Sequence, residues 1–312
     1  MPGTGVPGIV TRSFGKFYDV ALNDEPRTLL CTVKGAVKRE RRRTDLVAVG
    51  DRVRVTDVGE GEGQIESIEP RTRSLKRLAR LTTDTEQVIL ANPDQALFVF
   101  SARNPLPHRR MLDRFLVLAE SEDLPAMIAV NKMDLEASEP ADGAKPARVV
   151  FRDYDDVYPV HYVSVTTGEG LLDLFDALKG KITVVAGPSG VGKSSLLNTF
   201  HPLGDRTIGD VSSATGKGKH TTTATQLYRL ADDPSTFVAD TPGIRALALH
   251  GIDEVDLDRC FPEFRTFLGG CFYPDCTHLH EPGCLIREAV DEGTIPVERY
   301  QSYVALRRGE HE

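Results

Sequence analysis

The segment ITVVAGPSGVGKSSLLNTF, residues 182–200, admits few folds. It reads as an apolar strand, a turn from Gly187 through Pro188, Ser189, Gly190, Val191 and Gly192 to Lys193, Ser194 and Ser195, and then a helix. That is the order in which a P-loop is built. Its glycines let the backbone curl so that successive N–H groups face an anion, and the helix adds its positive end. Lys193 supplies a point charge for the outer phosphates, and the Ser194 hydroxyl is a ligand for Mg²⁺. A Gly-rich turn with a chance lysine would not need the strand before it and the helix after it.

The flanking sequence has the texture of a sheet that carries such a loop. From about residue 85, apolar runs (ALFVFSA, AMIAVNK, VHYVSV, ITVVAG, TFVAD) alternate with helical periodicity. Met111, Phe115 and Leu118 share one helical face, and Leu112, Leu116 and Ala119 share another. The pattern predicts a parallel sheet covered by helices. The last run ends in Asp240-Thr241-Pro242-Gly243. Asp240 is placed to hold Mg²⁺ through water, and Gly243 to offer its N–H to a terminal phosphate. Taken alone, these four residues also make a plain turn.

The loop Asn131-Lys132-Met133-Asp134 follows the strand AMIAV and lies 56 positions before Gly187. A carboxylate only accepts, so Asp134 suits the N1–H and N2–H₂ donors of guanine. Adenine lacks both and would leave the carboxylate unpaired. Asn131 would pair with the other polar edge of the base and brace the loop, and the Lys132 stem would lie along the ring. Ser164 and Val165 would close the pocket, with a backbone N–H to O6. In most guanine-nucleotide enzymes the phosphate loop comes first. Both motifs are real if the domain is circularly permuted, which compact domains tolerate because their ends lie close together.

Residues 204–223, GDRTIGDVSSATGKGKHTTT, hold four glycines and almost no apolar side chains. They read as a surface loop that orders around a terminal phosphate. Thr222, with Thr221 and Thr223 as alternatives, would complete the Mg²⁺ shell. Ile244 follows Gly243, where many such enzymes place a glutamine to orient water. His220 is therefore the candidate for positioning the attacking water, with a structural or partner-binding loop role as the alternative.

Further on, GGCFYPDCTHLHEPGC sets Cys271, Cys276, His278 and Cys284 within fourteen residues. Three thiolates and an imidazole suit tetrahedral Zn²⁺ with no open position, hence a structural metal. His280 competes with His278. An iron–sulfur cluster and plain buried cysteines are the alternatives. Cys31 and Cys260 read as packing residues. Five cysteines, an odd number, do not form a disulfide framework.

Before residue 80, short runs (GIVTRSF, KFYDVAL, TLLCTVKG, DRVRVTD, GQIESIE) separated by turn residues predict a small antiparallel barrel. An OB-type barrel is the natural candidate, and an SH3-like barrel would read much the same. The formal net charge of −8 is uneven. Residues 1–90 carry 16 Lys/Arg against 13 Asp/Glu, whereas the rest carries 22 against 33. The basic clusters KRERRR (38–43) and RTRSLKRLAR (71–80) fit a phosphate-backbone partner or simply solvated loops. No apolar run approaches the ~18 residues that cross a bilayer. A cytoplasmic protein with no membrane contact is expected.

The expected organisation is an OB-type RNA-binding barrel over 1–82, a circularly permuted α/β P-loop GTPase domain over 83–250, and a helical zinc-binding domain over 251–312. In this set the chain closely resembles the circularly permuted ribosome-assembly GTPases of the RsgA (YjeQ) type. NKMD, GPSGVGKSS, GKGKHTTT and DTPG, with a barrel before and the Cys/His cluster after, carry the resemblance. It implies hydrolysis of GTP to GDP stimulated by the small ribosomal subunit, a role in late maturation of that subunit, and rRNA contact through barrel and zinc domain. It implies that His220 is the switch histidine and makes both basic clusters, Arg41, Arg42 and Arg43 among them, rRNA-binding candidates. A monomer is expected. The rival readings are a P-loop kinase or ATPase, and a nucleic-acid-binding scaffold with an inert nucleotide site.

Overall fold

The computed structural model describes residues 5–34, 47–78, 86–136, 145–200, 225–230, 233–240 and 254–310. The loop with His220 and Thr222, the residues Gly243 and Ile244, and the cluster 38–43 lie outside the described residues.

Five strands, β1 (Val6–Phe14), β2 (Phe17–Leu22), β3 (Thr28–Val33), β4 (Arg52–Gly59) and β5 (Glu62–Ile68), close into a barrel. The order is β1-β2-β3-β5-β4, so the fourth strand returns beside the first. That Greek-key return in five strands is the OB arrangement. The expectation of a wholly antiparallel barrel is corrected at one seam. β3 and β5 run parallel, with Leu30 opposite Glu62 and Val33 opposite Ile65. An odd number of strands cannot alternate in direction around a closed ring, so at least one seam must be parallel. Alternate residues turn inward, and Val10, Val20, Leu29, Cys31, Val55 and Ile65 are buried together.

A two-stranded antiparallel sheet, β6 (Ser74–Leu78) and β7 (Glu86–Ala91), follows; the sequence reading missed it. Fully buried Asp51 accepts from the Ala48 N–H at 2.8 Å and from Arg71 Nε and Nη2 at 2.7 and 2.8 Å. Asn92 donates to the Gly50 carbonyl at 3.0 Å and accepts from the Thr72 N–H at 2.9 Å. Arg71, the first residue of the second basic cluster, is thus held inside by a bidentate ion pair.

The α/β part is a six-stranded sheet built from β8 (Gln95–Ser101), β9 (Ala126–Asn131), β10 (Val160–Tyr162), β11 (Ile182–Ala186), β12 (Gln226–Arg229) and β13 (Phe237–Asp240). Its order is β10-β9-β8-β11-β13-β12. β9 with β10 and β11 with β13 are parallel. β12, which the sequence reading missed, is an antiparallel edge strand. Every residue of β8 is buried, polar Gln95 and Ser101 included. Gln95 donates to the Ala177 carbonyl and to Thr183 Oγ1, both at 3.0 Å, and Ser101 to the Pro105 carbonyl at 2.7 Å.

Packing divides the chain into two units, one of residues 1–97, 171–186 and 192–245, the other of 98–170, 187–191 and 246–312. In the first, β1 packs against β12, and Arg229 donates to the Leu22 carbonyl at 3.2 Å. The second holds helix α1 (Arg109–Ser121), the short helices α2 (Ala147–Val150) and α3 (Arg152–Asp155), and the C-terminal segment. α1 buries Leu112, Phe115, Leu116 and Ala119, whereas Met111 is exposed. It also buries Asp113, which no apolar pattern foretells.

Candidate functional site

β11 delivers the chain to Gly187 in an entirely buried strand. Gly187 has φ +150°, and a Cβ there would stand 2.0 Å from the Val99 carbonyl oxygen, so only glycine fits. Gly192, at φ +91°, caps helix α5 (Lys193–Thr199), which follows the 8-residue α4 (Leu171–Leu178) in chain order. Lys193 and Ser194 therefore stand in the first helical turn, and Ser195 behind them is exposed. Pro188 is half-buried and Ser189 exposed on the loop.

β9 delivers Asn131 to the same loop. Buried Asn131 donates through Nδ2 to the Val191 carbonyl at 3.0 Å. Its Oδ1 is buried without a partner among the described residues. The backbone then turns through Lys132, at φ +63°. Its Nζ donates to the Gly190 carbonyl at 2.6 Å and to the Asn104 carbonyl. The Met133 N–H donates to the Val163 carbonyl at 3.2 Å. Fully buried Ser164 donates to Asp134 Oδ1 at 2.6 Å and accepts from the Thr167 N–H at 3.1 Å. This leaves Asp134 Oδ2 with no hydrogen bond within the described residues. Val165, next to Ser164 in sequence, is half-buried. Two motifs in reversed order thus meet side chain to backbone. The reading of Lys132 as a stem along a ring omitted this tie from its ammonium to two loop carbonyls.

Asp240 ends β13, with its backbone paired to Val185 of β11. That register sets the DTPG strand directly beside the P-loop strand.

In the C-terminal segment the sulfurs of Cys271, Cys276 and Cys284 and a ring nitrogen of His278 all lie within 4.8 Å of one another. His278 Nδ1 is 3.6 Å from Cys271 Sγ and 3.4 Å from Cys284 Sγ. Its Nε2 is 3.5 Å from Asp258 Oδ2. A ring that faces ligands with one nitrogen and a carboxylate with the other has the arrangement of a metal-binding histidine. Burial lowers the His278 pKa, against the pull of Asp258. His280 is exposed and outside the group. The donor set, three sulfurs and an imidazole nitrogen, fits a soft or borderline metal ion.

The loop is braced by residues that the spacing alone did not reveal. Glu281 accepts from the backbone N–H groups of Thr277 at 3.0 Å and of Leu279 and His280 at 3.1 Å. Burial pushes its pKa up, but these bonds and the Thr277 hydroxyl hold it well below the usual carboxylate range. Two tyrosines of the C-terminal helix α7 (Val297–Arg307), which follows α6 (Leu285–Asp291), tie the loop backbone. Tyr300 donates to the His278 carbonyl at 2.7 Å and Tyr303 to that of Thr277 at 2.9 Å. Asp258, twenty positions from His278, gave no local signal.

The same helix carries Arg299, fully buried. It donates through Nε and Nη2 to Glu263 at 2.6 and 3.2 Å, and through Nη1 to Asp113. Asp113 also accepts from Tyr154 at 2.8 Å and from Ser302. Burial works against the Arg299 charge, but Asp113 and Glu263 raise its pKa well above the ordinary value. The metal-ligand segment is joined to α1 and α3 by this network.

The RsgA GTPase family model matches residues 68–250. This chain belongs to the RsgA GTPase family. Along 97% of both chains it is 41% identical to the small ribosomal subunit biogenesis GTPase RsgA of Gemmatimonas aurantiaca. The RsgA of Geobacillus kaustophilus is likewise 41% identical, over 96% of this chain and 95% of its own. Among solved structures, YjeQ from Thermotoga maritima aligns with a TM-score of 0.76 at 33% identity over 98% of both chains. YloQ, described as a circularly permuted GTPase, aligns at 0.75 and 31% identity, over 98% of this chain and 95% of its own. The RsgA-family chain has no helix among its described residues long and apolar enough to cross a membrane.

Proposed function

We propose that this chain hydrolyses GTP to GDP in the cytoplasm, in the late maturation of the small ribosomal subunit, and that the subunit stimulates turnover. The observation that carries the reading is the pair of bonds from Asn131 and Lys132 to the carbonyls of Val191 and Gly190. They make the base-reading loop and the phosphate loop one corner despite their order in the chain.

In this reading Asp134, oriented by Ser164, accepts the two guanine donors, and the Val165 backbone closes the pocket over O6. Asn131, Lys132 and Met133 shape the base site. The backbone from Gly187 to Gly192 and the Lys193 ammonium surround the phosphates, with Ser195 behind them. Ser194, Thr222 and Asp240 would hold Mg²⁺, which draws charge from the phosphate oxygens. Gly243 offers an N–H to the terminal phosphate, and His220 positions the attacking water. Cys271, Cys276, His278 and Cys284 would hold one structural Zn²⁺. The barrel (1–82) and the zinc domain (251–312), which flank the GTPase domain (83–250) in sequence, contact rRNA, and the chain works as a monomer.

The test is GTP turnover with purified small ribosomal subunits added or withheld. A clear rise on addition is expected; equal turnover of ATP, or none of GTP, would overturn the reading. Asp134→Asn should shift preference from guanine to xanthine nucleotides, and an unchanged preference would remove Asp134 from base recognition.

A further inference from the structure

We infer that a cleft of about 500 Å³ between the start of α1 and helices α6 and α7 binds one unpaired nucleotide of RNA. The inference rests on the proposal that the C-terminal domain contacts rRNA, and it names the place and the kind of ligand. The cleft lies within one packing unit. Among its lining residues are half-buried Leu279, Val290 and Val304 and the Tyr300 ring. That ring is fixed, because its hydroxyl donates to the His278 carbonyl at 2.7 Å. A cleft of this size is in the range that holds small ligands, roughly 300–1,000 Å³.

The rim carries Arg110, Arg287 and Arg308. Cations are scarce in this part of the chain, where carboxylates outnumber them, so an arginine there readily finds an acidic neighbour. These three do so poorly. Arg110 is exposed and makes no ion pair among the described residues. It sits in the first turn of α1, which has no acidic residue, so the helix dipole opposes its charge. Among the described residues the Arg287 side chain bonds only a backbone carbonyl, that of Glu281, at 3.3 Å. Arg308 meets Glu310 at 4.0 Å, a loose pair with both side chains exposed.

Asp291 and Glu310 also line the cleft, so three cations face two carboxylates. A balance of this size suits one phosphate rather than a stretch of backbone. A base can lie against these apolar side chains with its face on Tyr300 or a guanidinium, the usual way in which unstacked RNA bases are held. The carboxylates can then accept N–H groups from the base edge. A peptide of Asp and Glu would offer carboxylates to the arginines but no flat ring to stack on Tyr300 or a guanidinium.

The test uses the metal-loaded, full-length protein and a single-stranded small-subunit rRNA fragment that carries 4-thiouridine. Photo-crosslinking should mark residues 297–308, and Arg110→Gln/Arg308→Gln should remove that crosslink. The double variant should bind the fragment about five- to tenfold more weakly. The slope of log affinity against log salt should fall by about 0.7, one phosphate contact on a single strand. GTP turnover without RNA should be the same in both proteins, which shows that the variant is folded. Unchanged slope and crosslinks would overturn the inference. So would loss of intact-subunit binding with naked RNA binding retained, which would make the occupant a protein. Wild-type protein that binds neither subunits nor RNA would overturn the ribosomal reading itself.

Discussion

The barrel and the segment 254–310 are of similar length, but they are held in different ways. In the barrel five strands satisfy one another's backbone groups, and apolar side chains such as Val10, Leu29, Val55 and Ile65 fill the interior. The C-terminal segment has only short 3₁₀ turns and the helices α6 and α7. Its core joins Phe261, Phe264 and Tyr303, with ring centroids 5.1–5.5 Å apart, to four metal-type ligands and a buried arginine. Where strands close on themselves, burial of apolar surface is enough to fix the backbone. Where the chain is mostly turns, polar side chains must fix it, and each then depends on a named partner.

The comparison breaks most sharply on removal of the metal proposed for the Cys271, Cys276, His278 and Cys284 cluster. A chelator under reducing conditions, or Cys284→Ser, should unfold much of 254–310 and leave the barrel intact. Structural metal sites contribute on the order of 10 kcal/mol of gross binding energy, far above what so small a core supplies. Hydrogen exchange by segment would show it: fast exchange in α6 and α7, with protection kept in β1–β5. Equal exchange in both regions would mean that the cluster is not what holds the segment.

Next in size is Arg299→Met. It leaves buried Asp113 and half-buried Glu263 without their cation, at a cost of about 3–5 kcal/mol. Neutralising the carboxylates as well, in Arg299→Met/Asp113→Asn/Glu263→Gln, should restore part of it. Chemical denaturation of the metal-loaded protein measures both. In the barrel, Leu29→Ala should cost about 3 kcal/mol through a cavity alone, with no partner change able to rescue it. Rescue in one region and none in the other would sharpen the contrast.

Much of this was legible in the sequence because it is local. The P-loop, the Asn131–Asp134 loop, the five barrel strands and the Cys/His spacing each sit within one short stretch. What escaped depends on distant residues. Asp113 and Arg299 are 186 positions apart, and each reads as a surface charge on its own helix. Asp258 lies outside the cysteine cluster that it supports. The antiparallel β12 and the parallel seam of β3 with β5 are matters of pairing, which strand texture does not encode. Arg71 looked like part of a phosphate-binding cluster until its partner Asp51 was placed.

The smallest predicted effect concerns Cys31, the same residue type as the ligands in the opposite setting. Burial, aided by the negative charges of Asp19 and Asp57, pushes its thiol from 9.0 up to about 12. Folding therefore holds a proton that the unfolded chain releases. The Cys31 contribution to stability is full below pH 9.0 and declines as pH rises from 9.0 towards about 12. Iodoacetamide at pH 8 should leave Cys31 untouched in the native protein and alkylate it in urea. Cys31→Val should flatten the alkaline decline relative to the unchanged chain, because it fills the site without a titrating group. Rapid alkylation of the native barrel, or the same alkaline slope in both proteins, would show that this cysteine is not a packing residue. The contrast between a thiol kept protonated by apolar neighbours and three thiols gathered for a metal would then fail.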